Sequence, residues 1–450
     1  MFQNDIIVAQ ATPPGKGGVG IVRVSGNSLQ HIANAILAKL PSPRVAEYLP
    51  FLSADKETID IGLAIYFPSP HSFTGEDVLE LHGHGGQVLI DLLVNRVLEC
   101  GARLANPGEF SFRAFQNDKI DLAQAEAISD LINSTTEAAA KSAMRSLKGE
   151  FSRKVQELLE ELIYVRVYVE SSIDFPEEEI DFLADQVLLN RIDGLLLKME
   201  EVFHQAKQGA VLNEGMSVVI LGQPNAGKSS LLNCLAGHDA AIVTDIEGTT
   251  RDVLKESIHI DGMPLHIIDT AGLRDNADVV EKEGIRRAWN EVEKADHVLL
   301  LVDDSKGFSD KDEKILKNIP PNLSVTIVHN KIDVKGEHSE SIFTKDNRTE
   351  IYLSIKNRSG IQLLTDHLKQ IVGFEGEADG LFIARRRHLN ALERAKTAIE
   401  TGHKQIMENR AGELLSEDLR VAQSALNEIT GEFDNEDLLG EIFSSFCIGK

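Results

Sequence analysis

The chain of 450 residues lacks the features of several protein classes. It has three cysteines, Cys100, Cys234 and Cys447, which are far apart and odd in number. They argue against a disulfide framework and fit a reducing compartment, so we expect a cytoplasmic protein. No apolar run approaches the roughly 20 residues that cross a bilayer, so we expect no membrane span. The N-terminal "MFQNDIIVAQATPPG" has an acid at Asp5 and no basic region before an apolar core, so we expect no secretory signal.

The chain also lacks a net positive charge. Acidic residues outnumber basic ones, and the formal net charge is −25. A protein that binds nucleic acid through phosphate neutralisation alone is usually basic overall or has a basic stripe. The one dense basic cluster is "ARRRH", which includes Arg385 to His388. Its simplest interpretation is a solvated helix start. If the protein acts on RNA, a partner or a local patch must supply the electrostatic attraction.

The N-terminal part, residues 1–118, predicts a mixed α/β unit. Its short β-rich runs "GIVRVSG", "DIGLAIYF" and "DVLELHGHGG" are separated by Gly and Pro clusters. Residues 119–210 predict helix, with a break and a new helix start around Pro176 in "SSIDFPEEEIDF". The apolar residues that follow the 3.6-residue period here are Val155, Leu158, Leu159, Leu162 and Ile163.

In residues 211–375, short apolar strands alternate with helical stretches, which predicts a mostly parallel sheet. Residues 376–450 return to helix, with apolar residues spaced four and three apart at Leu415, Leu419, Ala422, Leu426 and Ile429. We therefore predict a discontinuous helical domain, 119–210 and 376–450, with the α/β unit inserted between its halves. Two independent helical pieces are the alternative.

A phosphate-binding loop is predicted by "GQPNAGKS", Gly222 to Ser229, which matches Gly-x4-Gly-Lys-Ser between a strand and a helix. The glycines let backbone N–H groups surround the phosphates, and the helix N-terminus adds positive potential. Lys228 is predicted to reach the β- and γ-phosphates, and the Ser229 hydroxyl to ligate Mg²⁺.

The nucleobase is predicted to be guanine, because "NKID", Asn330 to Asp333, follows an apolar strand. The Asp333 carboxylate can accept both the N1–H and the amino group of guanine, whereas adenine has no N1 donor. This disfavours an ATP-driven motor. The stretch "SIK", Ser354 to Lys356, takes the place of a last guanine-contacting loop, with Ile355 where a smaller residue is commoner.

The segment "DTAGLR" contains a further part of the site. Asp269 is placed to reach the Mg²⁺ shell through water, and Gly272 allows backbone approach to the γ-phosphate. Thr249 and Thr250 lie on a loop that could close over the nucleotide, and Thr250 is the better second Mg²⁺ ligand. Leu273 stands where many GTPases have a glutamine that orients the attacking water.

The predicted GTP-contacting residues are Asn225, Ala226, Gly227, Lys228, Ser229, Ser230, Thr244, Asp245, Ile246, Glu247, Gly248, Thr249, Thr250, Asp269, Thr270, Ala271, Gly272, Asn330, Lys331, Asp333, Ser354, Ile355 and Lys356.

Two glycine-rich stretches near the N-terminus are weaker signals. "PPGKGGVG" has the wrong spacing for a dinucleotide-binding loop, since the "IVRVSG" after it predicts a strand and not a helix. "HGHGG" puts His82 and His84 on one side of a strand, but the sequence offers no third metal ligand. A glycine-rich structural turn is the simpler interpretation of this second stretch.

The motifs "GQPNAGKSS", "VTDIEGTTRD", "DTAGLR", "NKID" and the terminal "FCIGK" together resemble the MnmE (TrmE) tRNA-modification GTPases. The stretches "DIIVAQATPPGKGGVGIVRVSG" and "SFTGEDVLELHGHGG" are similar to that family as well, so the resemblance spans the chain. It implies an N-terminal α/β folate-binding domain, a discontinuous helical domain and an inserted Ras-like P-loop GTPase domain.

The resemblance also implies how the protein hydrolyses GTP without the missing glutamine. A potassium ion would replace an arginine finger and offset charge that develops in the transition state. Glu281 would orient the water, although from the residues alone an ordinary helix-start carboxylate is the simpler interpretation. The implied potassium ligands are Asn225, Thr244, Ile246 and Thr249.

For the N-terminal domain, the resemblance implies a tetrahydrofolate derivative (5,10-methylene or 5-formyl) as the one-carbon donor. Its matched residues are Arg23, Glu80, Lys119 and the C-terminal Lys450. Cys447 in the "C-x-G-K" ending is by default buried apolar filler. The resemblance makes it a candidate for the modification chemistry.

The implied assembly is a homodimer that joins the flavoprotein MnmG (GidA) in a heterotetramer. FAD and NADH would be used by that partner alone, and the substrate would be carbon 5 of the wobble uridine in certain tRNAs. The alternative is a regulatory or assembly GTPase switch with no part in modification. The N-terminal domain and the "FCIGK" ending argue against it, because a plain switch needs neither.

Overall fold

The computed structural model describes residues 5–174, 186–237, 255–269, 292, 295–321, 323–336, 339–345, 348–374, 380–409, 412–431, 442–443, 446 and 449. The chain divides into two compact units. The first contains Met1–Ser129 and Arg420–Lys450, and the second contains Asp130–Leu419.

The first unit contains a six-stranded sheet in the order β3-β4-β5-β2-β1-β6. Its strands are β1 Ile7–Gln10, β2 Gly17–Gly26, β3 Glu47–Leu52, β4 Thr58–Phe67, β5 Asp77–Gly85 and β6 Arg103–Leu104. Neighbouring strands are antiparallel except β1 and β6, which are parallel. The three β-rich runs in the sequence lie on β2, β4 and β5, so that prediction is confirmed.

Helices α1 Gln30–Leu37 and α2 Gln87–Glu99 cover one face of this sheet, and they are followed by α3 Glu109–Gln116 and α4 Leu122–Asn133. The sheet core forms because every second residue of a strand points to the same face. Buried residues from β2 and β5 meet buried residues from α1 and α2 there: Val22, Val24, Leu79, Leu81, Ile32, Ile36, Ile90 and Leu93.

The "HGHGG" stretch is a strand, and its interpretation as a glycine-rich turn is wrong. His82 and His84 lie on β5 and form hydrogen bonds with Glu80 and Asp60, respectively. Gly83 is required because an added Cβ would lie 2.5 Å from Asp60 Oδ2. Among the described residues, no group of three or more His, Cys, Asp or Glu side chains is arranged to hold a metal ion.

The remaining described helices are α5 Glu137–Leu147, α6 Glu150–Asp174, α7 Gln186–Glu214, α8 Lys228–Ala236, α9 Asp310–Asn318, α10 Ile332–Lys335, α11 Ile361–Val372, α12 Arg386–Asn409 and α13 Gly412–Thr430. The remaining described strands are β7 Met216–Gly222, β8 Lys255–Ile260, β9 Met263–Asp269, β10 His297–Asp303, β11 Ser324–Asn330, β12 Ser341–Lys345 and β13 Arg348–Leu353.

In the second unit, α6 and α12 both pack against α7, so helices before and after the α/β part form one bundle as predicted. Four of the five predicted apolar residues of α6 are buried, but Ile163 is 37% exposed. It follows Leu162 by one residue, which places it about 100° round the helix at the edge of the buried stripe. All five predicted apolar residues of α13 are buried.

The second sheet has seven strands in the order β12-β13-β11-β10-β7-β9-β8. Its five central strands are parallel, and the edge strands β8 and β12 are antiparallel to their neighbours. The middle of β7 is apolar because Val218 and Ile220 pack on one face while Val219 and Leu221 pack on the other. The predicted mostly parallel sheet is confirmed.

The cysteines and the helix compositions were the remaining features singled out in the sequence. Cys100 and Cys234 are free thiols, and Cys447 lies outside the described residues. Among the helices that the structure describes, none combines the length and apolar sequence that a bilayer crossing requires.

Candidate functional site

The loop between β7 and α8 has the backbone of a phosphate-binding loop. Gly222, Asn225 and Gly227 have φ angles of 147°, 64° and 109°, which lie in the left-handed region. A Cβ at Gly222 would overlap the carbonyl oxygen of Leu301, and one at Gly227 would lie 2.5 Å from Asn330 Nδ2. The two glycines are therefore required both by conformation and by close packing.

Helix α8 begins at Lys228, with Gly227 as its N-cap. The first backbone N–H groups of a helix have no intrahelical partner, so this end attracts an anion. Lys228 Nζ donates to the carbonyl oxygens of Gly222 at 2.7 Å and Gln223 at 3.1 Å, so its ammonium group lies across the loop. Ala226 is buried in this loop, and Ser229 and Ser230 lie in the first turn of α8.

Asn330 connects this loop to the loop after β13. Its Nδ2 donates to the carbonyl oxygen of Ala226 at 2.9 Å, and its Oδ1 accepts from the backbone N–H of Ile355 at 3.2 Å. The side chain is only 3% exposed, so both hydrogen bonds are shielded from water. The Asn330 side chain thus links two predicted nucleotide-contacting loops through hydrogen bonds.

Lys331 forms a second connection to the phosphate-binding loop. Its Nζ donates to the carbonyl oxygen of Asn225 and to Asp303 Oδ2, both at 2.7 Å. Burial alone would raise the pKa of Asp303, but hydrogen bonds from Lys331 and Ser305 lower that pKa below its ordinary value. Asp303 belongs to none of the motifs singled out in the sequence. Its signal was the pair of acids that ends the apolar run of β10.

Asp333, the predicted guanine-reading residue, is held by its neighbour in space. The Ser354 hydroxyl donates to Asp333 Oδ1 at 2.6 Å and accepts from the backbone N–H of Asn357 at 3.2 Å. Ser354 is buried, so the carboxylate has a fixed partner on one side. The Ile355 side chain is buried in the core, which explains why a large residue is tolerated there, and Lys356 is exposed.

Strand β9 contributes the last described part of this site. The backbone of Asp269 ends β9 and pairs with Ile220 of β7, so both strands end at the same edge of the sheet. The Asp269 side chain lies outside the described residues. The same holds for the predicted Thr244, Asp245, Ile246, Glu247, Gly248, Thr249, Thr250, Thr270, Ala271, Gly272 and Glu281.

In the first unit, the structure brings Arg23 and Glu80 together on adjacent strands. They face each other in the β2–β5 register, and both Arg23 Nε and a terminal guanidinium nitrogen lie 2.9 Å from Glu80 Oε1. The other carboxylate oxygen lies 3.0 Å from His82 Nε2. Glu80 is therefore shared between a cation and an imidazole.

Aromatic rings and the C-terminal tail complete the surroundings of Arg23. Its guanidinium carbon lies 5.8 Å from the ring centroids of both Phe73 and Phe110, within cation–π range. A terminal guanidinium nitrogen also donates to the carbonyl oxygen of Gly449 at 3.5 Å. Exposed Lys119 lies beside Gly75 on the loop that carries Phe73. Lys450 and Cys447 lie outside the described residues.

A buried ionic network positions α3 and with it Phe110. Arg113, whose side chain is 4% exposed, donates to Glu76, Asp5 and Glu109. Burial alone would raise the pKa of Glu109, but hydrogen bonds from Arg103 and Arg113 hold that pKa below its ordinary value. Residue spacing could not reveal this network, because its members come from separate segments of the chain.

Two family models match the chain. "MnmE helical domain" matches residues 122–447, and "GTP-binding protein TrmE N-terminus" matches residues 6–119. The chain belongs to the MnmE (TrmE) family. Its similarity to a "tRNA modification GTPase MnmE" of Pasteurella multocida (strain Pm70) is 58% identity over 452 residues, covering 99% of this chain and 100% of the relative. A protein of the same description from Haemophilus influenzae (strain 86-028NP) is 60% identical over 453 residues, with the same coverage.

Solved GTPase structures align with only part of this MnmE family member. A variant of Aquifex aeolicus Era bound to GDP·AlF4⁻ is 27% identical over 41% of this chain and 66% of that chain, with a TM-score of 0.28. The G domain of the T. maritima FeoB iron transporter is 20% identical over 35% of this chain and 98% of that chain, with a TM-score of 0.27. The assignment to the MnmE family does not depend on these partial alignments.

Proposed function

We propose that the protein is a potassium-stimulated GTPase that modifies tRNA. With a flavin-dependent partner, it adds a (carboxymethyl)aminomethyl group to carbon 5 of the wobble uridine in certain tRNAs, and a tetrahydrofolate derivative supplies the one-carbon unit. One observation carries the nucleotide part, namely the buried Asn330 amide that joins the phosphate-binding loop to the loop holding Asp333. Relatives named for tRNA modification, matched over 99% of this chain, support the tRNA-modifying part.

Asp333 and the phosphate-binding loop select and hold GTP. Ser354 fixes the Asp333 carboxylate, which accepts the N1–H and amino hydrogens of guanine. The first turn of α8 and the Lys228 ammonium offset the phosphate charge. The Ser229 hydroxyl in that turn suits Mg²⁺, which prefers oxygen ligands, and Thr250 would be the second protein ligand.

Asn225 is the described residue of the proposed potassium site. It is exposed at φ 64°, and Lys331 holds its backbone carbonyl, so the amide side chain has a fixed base. An amide oxygen suits a hard monovalent cation. A bound K⁺ would supply positive charge beside the β–γ bridge. Leu273 has no side-chain group that could orient the attacking water, so Glu281 takes that role. Thr244, Ile246 and Thr249 complete the ligand set.

The pair Arg23–Glu80 is the centre of the proposed folate site. A carboxylate acceptor, a guanidinium and the partly exposed Phe73 ring fit a heteroaromatic ring with N–H donors and acidic substituents. Lys119 and Lys450 would bind the glutamyl carboxylates. Bound 5,10-methylene- or 5-formyl-tetrahydrofolate supplies the one-carbon unit. The chain's own part is to orient that donor, with Cys447 near the substrate uridine.

The proposed organisation has three domains: a folate-binding and dimerisation domain (1–118), a helical domain (119–210 and 376–450) and an inserted GTPase domain (211–375). The protein works in the cytoplasm as a homodimer and forms a heterotetramer with the flavoprotein MnmG (GidA), which carries FAD and uses NADH. The helical bundle built from both sides of the GTPase domain supports a coupling between GTP hydrolysis and the remote chemistry.

GTP turnover by the purified protein at equal ionic strength in potassium and in sodium tests the nucleotide part. We expect high turnover in potassium alone. Asn225→Ala should abolish the stimulation, and Asn225→Gly should do the same while keeping the positive φ without strain. Guanine-nucleotide affinity serves as the control for an intact loop. Equal turnover in both salts, or stimulation that survives Asn225→Gly, would contradict the proposal.

A further inference from the structure

Two basic segments stand out in a chain whose formal net charge is −25. Residues 141–154 contain five basic residues and one acid, Glu150, and residues 385–387 are three consecutive arginines. In the structure, Lys148, Arg153 and Arg386 are exposed, while Arg145 and Lys154 are partly exposed. We call these five side chains the basic surface.

The fold brings the two segments together. The Ser146 hydroxyl donates to the carbonyl oxygen of Ile383 at 2.9 Å, and this hydrogen bond is buried. The Phe151 ring stacks on Phe382 with 4.8 Å between centroids. The end of α5, the start of α6 and the start of α12 therefore meet, although more than half of the chain separates the two segments in sequence.

Nearby acids in the described part of the chain offset this surface only in part. Arg385 is paired with Asp130 at 2.6 Å, which is why it is left out of the basic surface. Arg153 lies 3.6 Å from Glu157, but both side chains are well exposed, and such a pair is weak in water. Glu214 accepts at 3.4 Å from the backbone N–H of Arg386, which leaves the guanidinium charge in place.

Helix stability does not explain the arginines either. Helix α12 begins at Arg386, and its first turn has no acidic residue. Positive side chains at a helix N-terminus oppose the helix dipole and cost stability. A solvated helix start would be better built from acids or neutral residues, so these arginines call for another role.

We propose that the basic surface binds the phosphate backbone of the RNA substrate. This inference rests on the proposed function. Arginine and lysine neutralise phosphates without reading sequence, so the surface positions the RNA and leaves specificity to other contacts. Because the chain is strongly acidic overall, RNA is repelled elsewhere, and a single local patch then also sets the orientation of the bound RNA.

The test is the affinity of the full-length protein for unmodified tRNA as a function of salt, measured by fluorescence anisotropy. Lys148→Glu/Arg386→Glu should weaken binding at least tenfold. It should also reduce the slope of log K against log salt by about two, one for each phosphate contact removed. The matched control is Lys311→Glu/Lys314→Glu on α9, which changes net charge equally at exposed positions far along the chain. This control should leave the slope unchanged.

Thermal unfolding shows whether a variant that loses RNA binding is still folded. Glutamate at residue 386 favours the dipole of α12, whereas glutamate at residue 148, the C-cap of α5, opposes the dipole of that helix. The two effects offset each other, so the patch variant should unfold close to the wild-type temperature while it loses RNA. The milder Lys148→Gln/Arg386→Gln variant should show a smaller loss in the same direction. GTP turnover without RNA should be unchanged in every variant.

Equal weakening by the patch and control variants, or an unchanged salt slope in the patch variant, would overturn the inference. These outcomes leave the proposed function standing, provided that the wild-type protein binds tRNA. Failure of the wild-type protein to bind or modify any tRNA would instead defeat the proposed function itself.

Discussion

At the scale of single residues, the predicted guanine-nucleotide site contains residues that support its loops and residues that are predicted to contact the nucleotide. Asn330 uses both ends of its amide to bind the protein itself, at Ala226 and Ile355. Asp333 has one oxygen held by Ser354, and its carboxylate remains suited to two guanine donors. Changes at Asn330 should therefore loosen the whole site, whereas changes at Asp333 should alter base selection.

Replacing Asp333 with asparagine should switch the base preference. The new amide keeps an oxygen that can accept from the Ser354 hydroxyl. Its NH₂ group, however, would face the N–H donors of guanine, and two donors repel each other. Loss of this charge-assisted pair should cost roughly 2–4 kcal/mol, so GTP affinity should fall by about 30-fold to 1,000-fold. Xanthosine triphosphate has a carbonyl in place of the amino group. It should bind the Asp333→Asn variant more tightly than it binds the wild-type protein.

Competition binding with both nucleotides measures this switch. Asn330→Ala is the informative comparison, because it should weaken both nucleotides alike through the loosened loop. Unchanged GTP affinity in Asp333→Asn would mean that the base is read by a different residue.

The sequence predicts the residues of this site by type and order but not their arrangement. Asn330, Asp333 and Ser354 follow recognisable motifs, whereas Asp303 and its ion pair with Lys331 do not. The same applies to the pair Arg23–Glu80, which the sequence suggested only through resemblance. Side chains that meet across strands depend on pairing register, and no local pattern encodes which strands become neighbours.

At the scale of helices and strands, α7 shows how closely the bundle is packed. It carries two helical glycines in different surroundings. A Cβ at Gly209 would overlap the carbonyl oxygen of Phe382, whereas one at Gly194 would meet no atom within 4 Å. The same substitution at the two sites should therefore have opposite effects.

Gly209→Ala should destabilise the second unit by about 2–4 kcal/mol, because backbone must move to admit the methyl group. Gly194→Ala should stabilise it by up to about 1 kcal/mol through the better helix propensity of alanine. Urea unfolding followed by helical circular dichroism compares the two variants. A Gly209→Ala midpoint equal to or above that of wild type would show that the segment at Phe382 does not approach α7 as described.

Strand β10 begins at a buried histidine that makes stability depend on pH. His297 lies within hydrogen-bond distance of the Ser324 and Thr326 hydroxyls, at 2.6 and 2.9 Å. Burial, helped by the nearby His367, lowers the pKa of His297 to about 4. The unfolded chain takes up a proton near pH 6.5, but the folded chain does not do so until about pH 4.

Stability contributed by neutral His297 is therefore complete above pH 6.5 and is lost progressively as the pH falls toward 4. The loss should reach about 3 kcal/mol, measured as the change in unfolding free energy across this window. His297→Asn, which keeps a polar side chain without titrating, should flatten the dependence apart from a smaller share from His367, whose pKa burial also lowers. An equally steep dependence in this variant would assign the effect to other groups.

The sequence largely predicts which segments form helices and which form strands. It does not predict the direction in which the edge strands of the second sheet pair with their neighbours. The apolar runs of β7, β10 and β11 are buried on both faces, and such runs predict parallel strands locally. Strands β8 and β12 run antiparallel to their neighbours at the two edges of the sheet. Their direction depends on which strand each one meets after a turn, and periodicity does not contain that information.

At the scale of the whole molecule, the proposed folate site, the predicted guanine-nucleotide site and the basic surface are formed by different residues. The first unit holds the Arg23–Glu80 pair, and the second holds the guanine-nucleotide site together with a helical bundle built from distant segments. The basic surface lies on that bundle and not in the nucleotide site. GTP hydrolysis and the proposed one-carbon chemistry would thus depend on different residues and should be separable by substitution.

The most direct test is mass spectrometry of the wobble nucleoside after unmodified tRNA is incubated with this protein, the flavoprotein partner, GTP and a tetrahydrofolate donor. With NADH, potassium and either glycine or ammonium as the amino donor also present, we predict a 5-aminomethyl-type uridine with wild type and little or none with either Lys228→Ala or Arg23→Ala. Only the first of these variants should lose GTP turnover. An unmodified uridine in the wild-type reaction, or full modification by Lys228→Ala, would contradict the account.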